Sequence, residues 1–164
     1  MKQIIIAALV FVGLVSIGSA LQVNELLGDT YQVNFVSPDG FLVTVNDPIA
    51  FPSGDDGYFR DLEMTVKQET GNKTIGVAVA EKTPSDVLGL EYRTNELKQM
   101  GYKEVHEITI DSRPAVMGIM GDGDGIRIDY EVDLGIKSIE VIISVFHLSK
   151  EELNQLLSTF HVKV

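Results

Sequence analysis

From Tyr31 onward, apolar side chains recur at every second position in run after run, the spacing of strands with one buried face. Tyr31, Val33 and Phe35 begin the series, and Phe41, Val43 and Val45 continue it after Ser37-Pro38-Asp39-Gly40. Proline presets φ there and glycine accepts positive φ, so the two runs read as a hairpin. Leu62, Met64 and Val66 lie within Asp61 to Gln68, and Ile75, Val77 and Val79 within Thr74 to Ala80. A second hairpin through Glu69–Lys73 joins these two. Gly76, Ala78 and Ala80 leave the other side of the last run small enough for close approach of a helix. Leu21 to Leu27 has room for a short helical turn.

The period then changes. Thr83 can cap a helix whose first residue is Pro84, and Val87, Leu90, Thr94 and Leu97 form its apolar stripe. Glu91, Arg93, Glu96 and Lys98 fall outside that stripe, and Gly101 terminates the helix. Three strands follow. Lys103–Ile110 comes first, then Pro114–Met120, apolar on both sides and so expected inside a sheet. Ile126–Asp133 puts Ile126, Ile128, Tyr130 and Val132 inward and Arg127, Asp129, Glu131 and Asp133 outward. Lys137–Phe146 is a long β-branched strand. Ser149 with Glu152 makes a capping box for a last helix, and Phe160–Val164 packs as a short tail. The expected class is α+β: a mostly antiparallel β-sheet covered by helices, with a main helix over 84–100 and a C-terminal helix over 150–159.

The first twenty residues stand apart. Met1-Lys2, an apolar run from Ile4 to Ile17, and Gly18-Ser19-Ala20 have the three-part form of a secretory signal cut after Ala20. Residues 1–20 therefore read as a signal peptide and 21–164 as one globular domain. The chain is expected to be exported, secreted or held at the cell surface; an uncleaved N-terminal membrane anchor is the alternative. The 164 residues suffice for a self-supporting core, and the chain contains no cysteine, which removes disulfides and thiol nucleophiles.

Charge narrows the partners. The net charge is −11, and loss of Lys2 with the signal leaves 12 basic against 24 acidic side chains, or −12. Nucleic acid and anionic membrane would be repelled. The acidity reads first as a means of staying soluble, and the partner classes it leaves are cationic proteins, divalent cations and neutral ligands. The expected partner is a protein of unknown identity, a basic surface being one option, with membrane attachment only through an uncleaved N-terminal segment, and the domain is expected to be a monomer.

Candidate chemistry is sparse. Asp122-Gly123-Asp124-Gly125 has the look of a calcium loop, but an EF-hand needs oxygen ligands at alternating positions, a glycine at the sixth and a glutamate at the twelfth, and here the fifth position is Ile126 and the twelfth Asp133. The four residues read as a hairpin turn, with a weak cation site at Asp122 and Asp124 as the alternative. Asp55 and Asp56, within Ser53–Gly57, are read the same way. The loop Asn46–Tyr58 is the longest irregular stretch and a candidate contact surface. The row Asp129, Glu131, Asp133, with Glu140 nearby, reads as a solvated strand face able to meet a basic partner. His106, His147 and His161 show no ligand spacing, and neither G-x-S-x-G nor a phosphate loop occurs. Asn72-Lys73-Thr74 is an N-x-T acceptor for glycosylation in an exported chain. No catalytic residue and no cofactor is implied.

Met100-Gly101-Tyr102, Ile110-Asp111-Ser112-Arg113-Pro114-Ala115-Val116 and Leu148-Ser149-Lys150-Glu151-Glu152, taken in this order of elements, resemble the PsbP-like family, named for an extrinsic subunit of photosystem II. The resemblance spans about residues 31 to 162. Family members commonly carry a tryptophan in the early loop, where this chain has Pro48, Phe51 and Pro52. It implies an α-β-α sandwich and a binding or assembly role, without a shared active site. The expected function is thus a non-catalytic accessory or binding domain. A cation-binding extracellular module is the alternative, and a hydrolase with an unrecognised site the third reading.

Overall fold

The computed structural model describes residues 20–28, 30–38, 40–46, 49–53, 57–82, 89–135 and 137–164, and only the backbone of 49–53 and 57–61. The proposed signal segment up to Ser19, and Asp55 and Asp56, lie outside the described residues. None of the described helices is long and apolar enough to cross a membrane.

Among the described residues, eleven strands and two helices follow one another: β1 (Leu21–Leu27), β2 (Tyr31–Ser37), β3 (Phe41–Val45), β4 (Ile49–Ser53), β5 (Gly57–Gln68), β6 (Thr74–Lys82), α1 (Leu90–Gln99), β7 (Glu104–Ile110), β8 (Arg113–Ile119), β9 (Gly125–Asp133), β10 (Ser138–Phe146), α2 (Lys150–Thr159) and β11 (His161–Lys163). They form two antiparallel sheets. The large sheet runs β3-β5-β6-β10-β9-β8-β7, with β4 pairing to the other half of β5; the small one runs β1-β2-β11.

This architecture corrects the expected class. Two helices of ten residues are too few to cover an eight-stranded sheet. Much of its inner face is closed by the small sheet instead, so the layers are not those of an α-β-α sandwich. Val23, Tyr31, Val33, Phe35 and Val162 come from the small sheet and Leu156 from α2. They meet Met64, Val77, Val141 and Ile128 of the large sheet in one core. Burial of each such side chain contributes about 1.5–3 kcal/mol, which fixes which face of every strand points in.

Three local expectations fail for identifiable reasons. Leu21–Leu27 is a strand: Val23 and Leu27 are buried, and a spacing of four suits a helix and a strand equally well. The runs Tyr31–Val36 and Phe41–Val45 do not pair with each other. β2 lies between β1 and β11, whereas β3 pairs with β5. The turn chemistry is real, with Gly40 at φ +72°, but it carries the chain from one sheet to the other. Asn46–Tyr58 is not wholly irregular, since β4 pairs with the start of β5 from Ile49↔Asp61 to Ser53↔Gly57, and Pro52 is tolerated on an outer strand. The main helix begins at Leu90 with Gly89 as its N-cap, and the proposed cap Thr83 and first residue Pro84 lie outside the described residues.

Candidate functional site

Two regions combine unusual chemistry with defined geometry, one on each face of the large sheet.

On the outer face, α1 packs against β7 and β8. Its buried residues are Arg93 and Leu97, four apart and therefore on one side of the helix. Arg93, expected outside the stripe, is only 1% exposed. Its guanidinium reaches Glu131 of β9 at 2.5 Å and also pairs with Glu140 of β10. Glu140 is shared with Lys82 at the end of β6. Beside this group Asp129, fully buried, accepts hydrogen bonds from Arg127 Nε at 2.9 and 3.0 Å. Burial raises the Asp129 carboxyl above its ordinary range, and the Arg127 hydrogen bond only partly offsets it.

The acidic row is therefore not a solvated face. Asp129 and Glu140 are buried and Glu131 half-buried, and only Asp133 is exposed. The Asp133 carboxylate accepts the Gly135 backbone N–H at 2.7 Å. The register carried the signal: Glu131 stands directly opposite Glu140. Like charges at facing positions are destabilising unless a cation bridges them, and a buried arginine four residues from a buried leucine supplies one. Glu131 and Glu140 share the Arg93 guanidinium, Glu140 also meets Lys82, and Asp129 meets Arg127, an ion network that fastens α1 to the sheet.

On the inner face, a cleft of about 480 Å³ opens between α2 and the strands β7, β8 and β9. Ile108, Met117, Ile119 and Ile126 form its floor, and Leu153 and Leu157 form the wall contributed by α2. Lys150 and Asn154 of α2 stand at its polar margin. The capping box holds this wall in place. Ser149 Oγ accepts the Glu152 N–H at 3.2 Å, and Glu152 accepts the Ser149 N–H at 2.8 Å. A hollow of similar volume beside the exposed side of α1 is lined by Tyr92, Asn95, Glu96, Gln99 and Met100, and so lacks an apolar floor.

The remaining candidates stay apart. Asp122–Gly125 is a tight turn joining β8 and β9: Gly123 has φ +77°, and Asp122 Oδ1 accepts the Asp124 N–H at 3.1 Å. Among the described residues no three His, Cys, Asp or Glu side chains converge as metal ligands. His106 is exposed on β7, and His147, at φ +60°, has Nδ1 3.5 Å from Asp124. His161 Nδ1 lies 2.5 Å from Asp111 Oδ1, and Asp111 also pairs with Arg113. That pair ties the β7–β8 turn to β11. Asn72 is exposed in the β5–β6 turn, accessible as a glycosylation acceptor.

At the edge between the two sheets, Tyr31 donates to Glu81 at 2.5 Å, and Lys137 donates to both the tyrosine oxygen and the carboxylate, at 2.8 and 2.9 Å. Burial and the Glu81 hydrogen bond raise the Tyr31 hydroxyl above its usual value, so it stays protonated and joins the layers.

No family model, curated protein or solved structure matches this chain.

Proposed function

We propose that this protein is an exported, non-catalytic accessory domain that acts by binding, and that its contact site is the apolar cleft between α2 and β7–β9. The observation that carries this reading is the cleft itself. About 480 Å³ falls within the size range of ligand sites, and its floor and helical wall are hydrocarbon with a few polar groups at the margin. Apolar surface left open in this way is stabilised by an occupant. The assembly role implied by the PsbP resemblance is of the same kind. The export signal supports a role outside the cytoplasm, where the absence of cysteine makes the fold independent of redox state.

An environment-sensitive dye, 1-anilinonaphthalene-8-sulfonate, tests the site. The folded protein is expected to enhance its fluorescence, and Leu153→Asn, which makes the helical wall polar, is expected to abolish the enhancement without loss of the folded circular-dichroism spectrum. Dye binding that is absent, or unchanged in the folded variant, would remove the cleft as the contact site.

A further inference from the structure

Resting on the reading of the cleft as the contact site, we infer that the occupant is an extended segment of a partner protein, alternating basic and apolar, which adds as a further strand to the open edge of β7. Two independent features meet there. β7 ends the large sheet, and among the described residues no strand pairs with its outer edge. It is seven residues long, pairs with β8 without a bulge from Glu104↔Ile119 to Ile110↔Arg113, and contains no proline. Edge strands of such length usually carry a device against pairing, and β7 has only its charges. Directly beside it lies the cleft, to which β7 itself contributes Ile108.

The register sets what such a strand must carry. Ile108 and Met117 pack toward the core, and Met117 faces His106, so Glu104, His106 and Ile108 share the inner face of β7 while Val105, Glu107 and Thr109 share the outer one. A strand laid against β7 has side chains alternating between these faces. Those turned inward near Ile108 enter the hydrocarbon cleft. Those turned outward meet Glu107. Glu104, Glu107 and His106 are the ionisable side chains of the strand, with no lysine or arginine among them, in a chain of net charge −11. Opposite charges facing across strands are favourable and like charges are not. Main-chain hydrogen bonds then supply affinity and the cleft supplies side-chain selectivity, the pattern of strand addition.

A second copy of the chain is a poorer occupant. An antiparallel β7–β7 pair centred on the strand places Glu107 opposite Glu107, so the edge that invites a basic strand disfavours its own.

Three eight-residue peptides test this. One alternates lysine and valine, the second alternates glutamate and valine, and the third is the lysine–valine peptide with alternate backbone N–H groups methylated. The lysine–valine peptide is expected to bind and to slow amide exchange along β7. Methylation, which removes ladder donors but keeps charge and side chains, is expected to weaken binding at least about tenfold, as is Glu107→Lys at this exposed position. Leu153→Asn is expected to weaken it as well. Equal binding of the methylated peptide would show charge attraction alone and overturn the inference. So would equal binding of the glutamate peptide, binding without protection of β7, or no binding. If the dye still occupies the cleft in a Leu153-dependent way while the peptides fail, the strand addition is wrong and the cleft reading survives. If the dye fails as well, both fall.

Discussion

The two helices have the same length and opposite ways of being held. α2 is fixed by hydrocarbon and by its own backbone: Leu156 is buried in the core, and Ser149 and Glu152 close a reciprocal capping box. α1 has no side-chain cap at Gly89 and is fixed by an ion, the guanidinium of Arg93 between Glu131 and Glu140. The difference shows two routes to anchoring a short helix on a sheet. A local route is written within the helix's own sequence. A non-local one uses a cation on the helix and carboxylates supplied by strands almost forty residues further along the chain or more.

The largest expected effect breaks the non-local route. Arg93→Leu keeps the bulk of the side chain but leaves Glu131 and Glu140 facing each other beneath α1. Removing one partner of a buried ion group costs about 3–5 kcal/mol, and urea denaturation would show the midpoint falling accordingly. Replacing Glu131 and Glu140 with glutamine and leucine in the Arg93→Leu background removes the facing like charges and is expected to restore part of the loss. A loss below about 1 kcal/mol for the single variant would mean that α1 is held by Leu97 and not by charge.

The same contrast separates what was legible in the sequence from what was not. The capping box at Ser149 and Glu152 needs residues three apart, and it forms over Lys150–Thr159 as those residues imply. The β5–β6 hairpin was readable because both strands alternate and a short polar turn joins them. The pairing of β2 with β11 was not, since strand partners distant in sequence leave no local mark. Arg93 is hard to place from sequence because arginine by type belongs in solvent. Its spacing from Leu97 pointed inward, and the facing acids explain why a charge could follow. Asp129 and Glu131 read along the strand as an exposed acidic face, and the helix that covers them can be placed only in three dimensions. The cleft was invisible for a similar reason. It is built from side chains of β7, β8, β9 and α2, each of which reads singly as ordinary core.

The next effect compares the two N-termini directly. Ser149→Ala removes the acceptor for the Glu152 N–H and is expected to cost about 1 kcal/mol. Gly89→Ser does the reverse at α1. Gly89 sits at φ −60° and ψ 165°, suited to an N-cap, and a Cβ there meets nothing within 4 Å. A gain of about a few tenths of a kcal/mol is expected from the new cap. Thermal unfolding of both variants checks the pair. If Gly89→Ser is neutral while Ser149→Ala costs the full amount, the start of α1 is already satisfied by other groups.

The smallest effect concerns how α2 is tied to the sheet across the molecule. Lys73, in the β5–β6 turn, reaches Glu152 Oε1 at 2.6 Å, and the same carboxylate accepts the Ser149 N–H. Burial alone would raise the Glu152 carboxyl, but the Lys73 and Ser149 hydrogen bonds more than reverse this and hold it below the usual glutamate range. A carboxyl depressed in the folded state contributes stability that is present above its unfolded value and is lost as pH falls through its folded value. Lys73→Met should therefore cost about 0.5 kcal/mol at neutral pH, as expected for a partly exposed pair. The gap between wild type and variant should stay level while Glu152 is ionised in both folded proteins, narrow as the variant's Glu152 protonates first on acidification, and close once Glu152 is protonated in the folded wild type as well. Denaturation curves at matched ionic strength measure this gap. A difference that persists undiminished once Glu152 is protonated in both proteins would show that Lys73 acts through its hydrocarbon stem, packed over α2, and not through its charge.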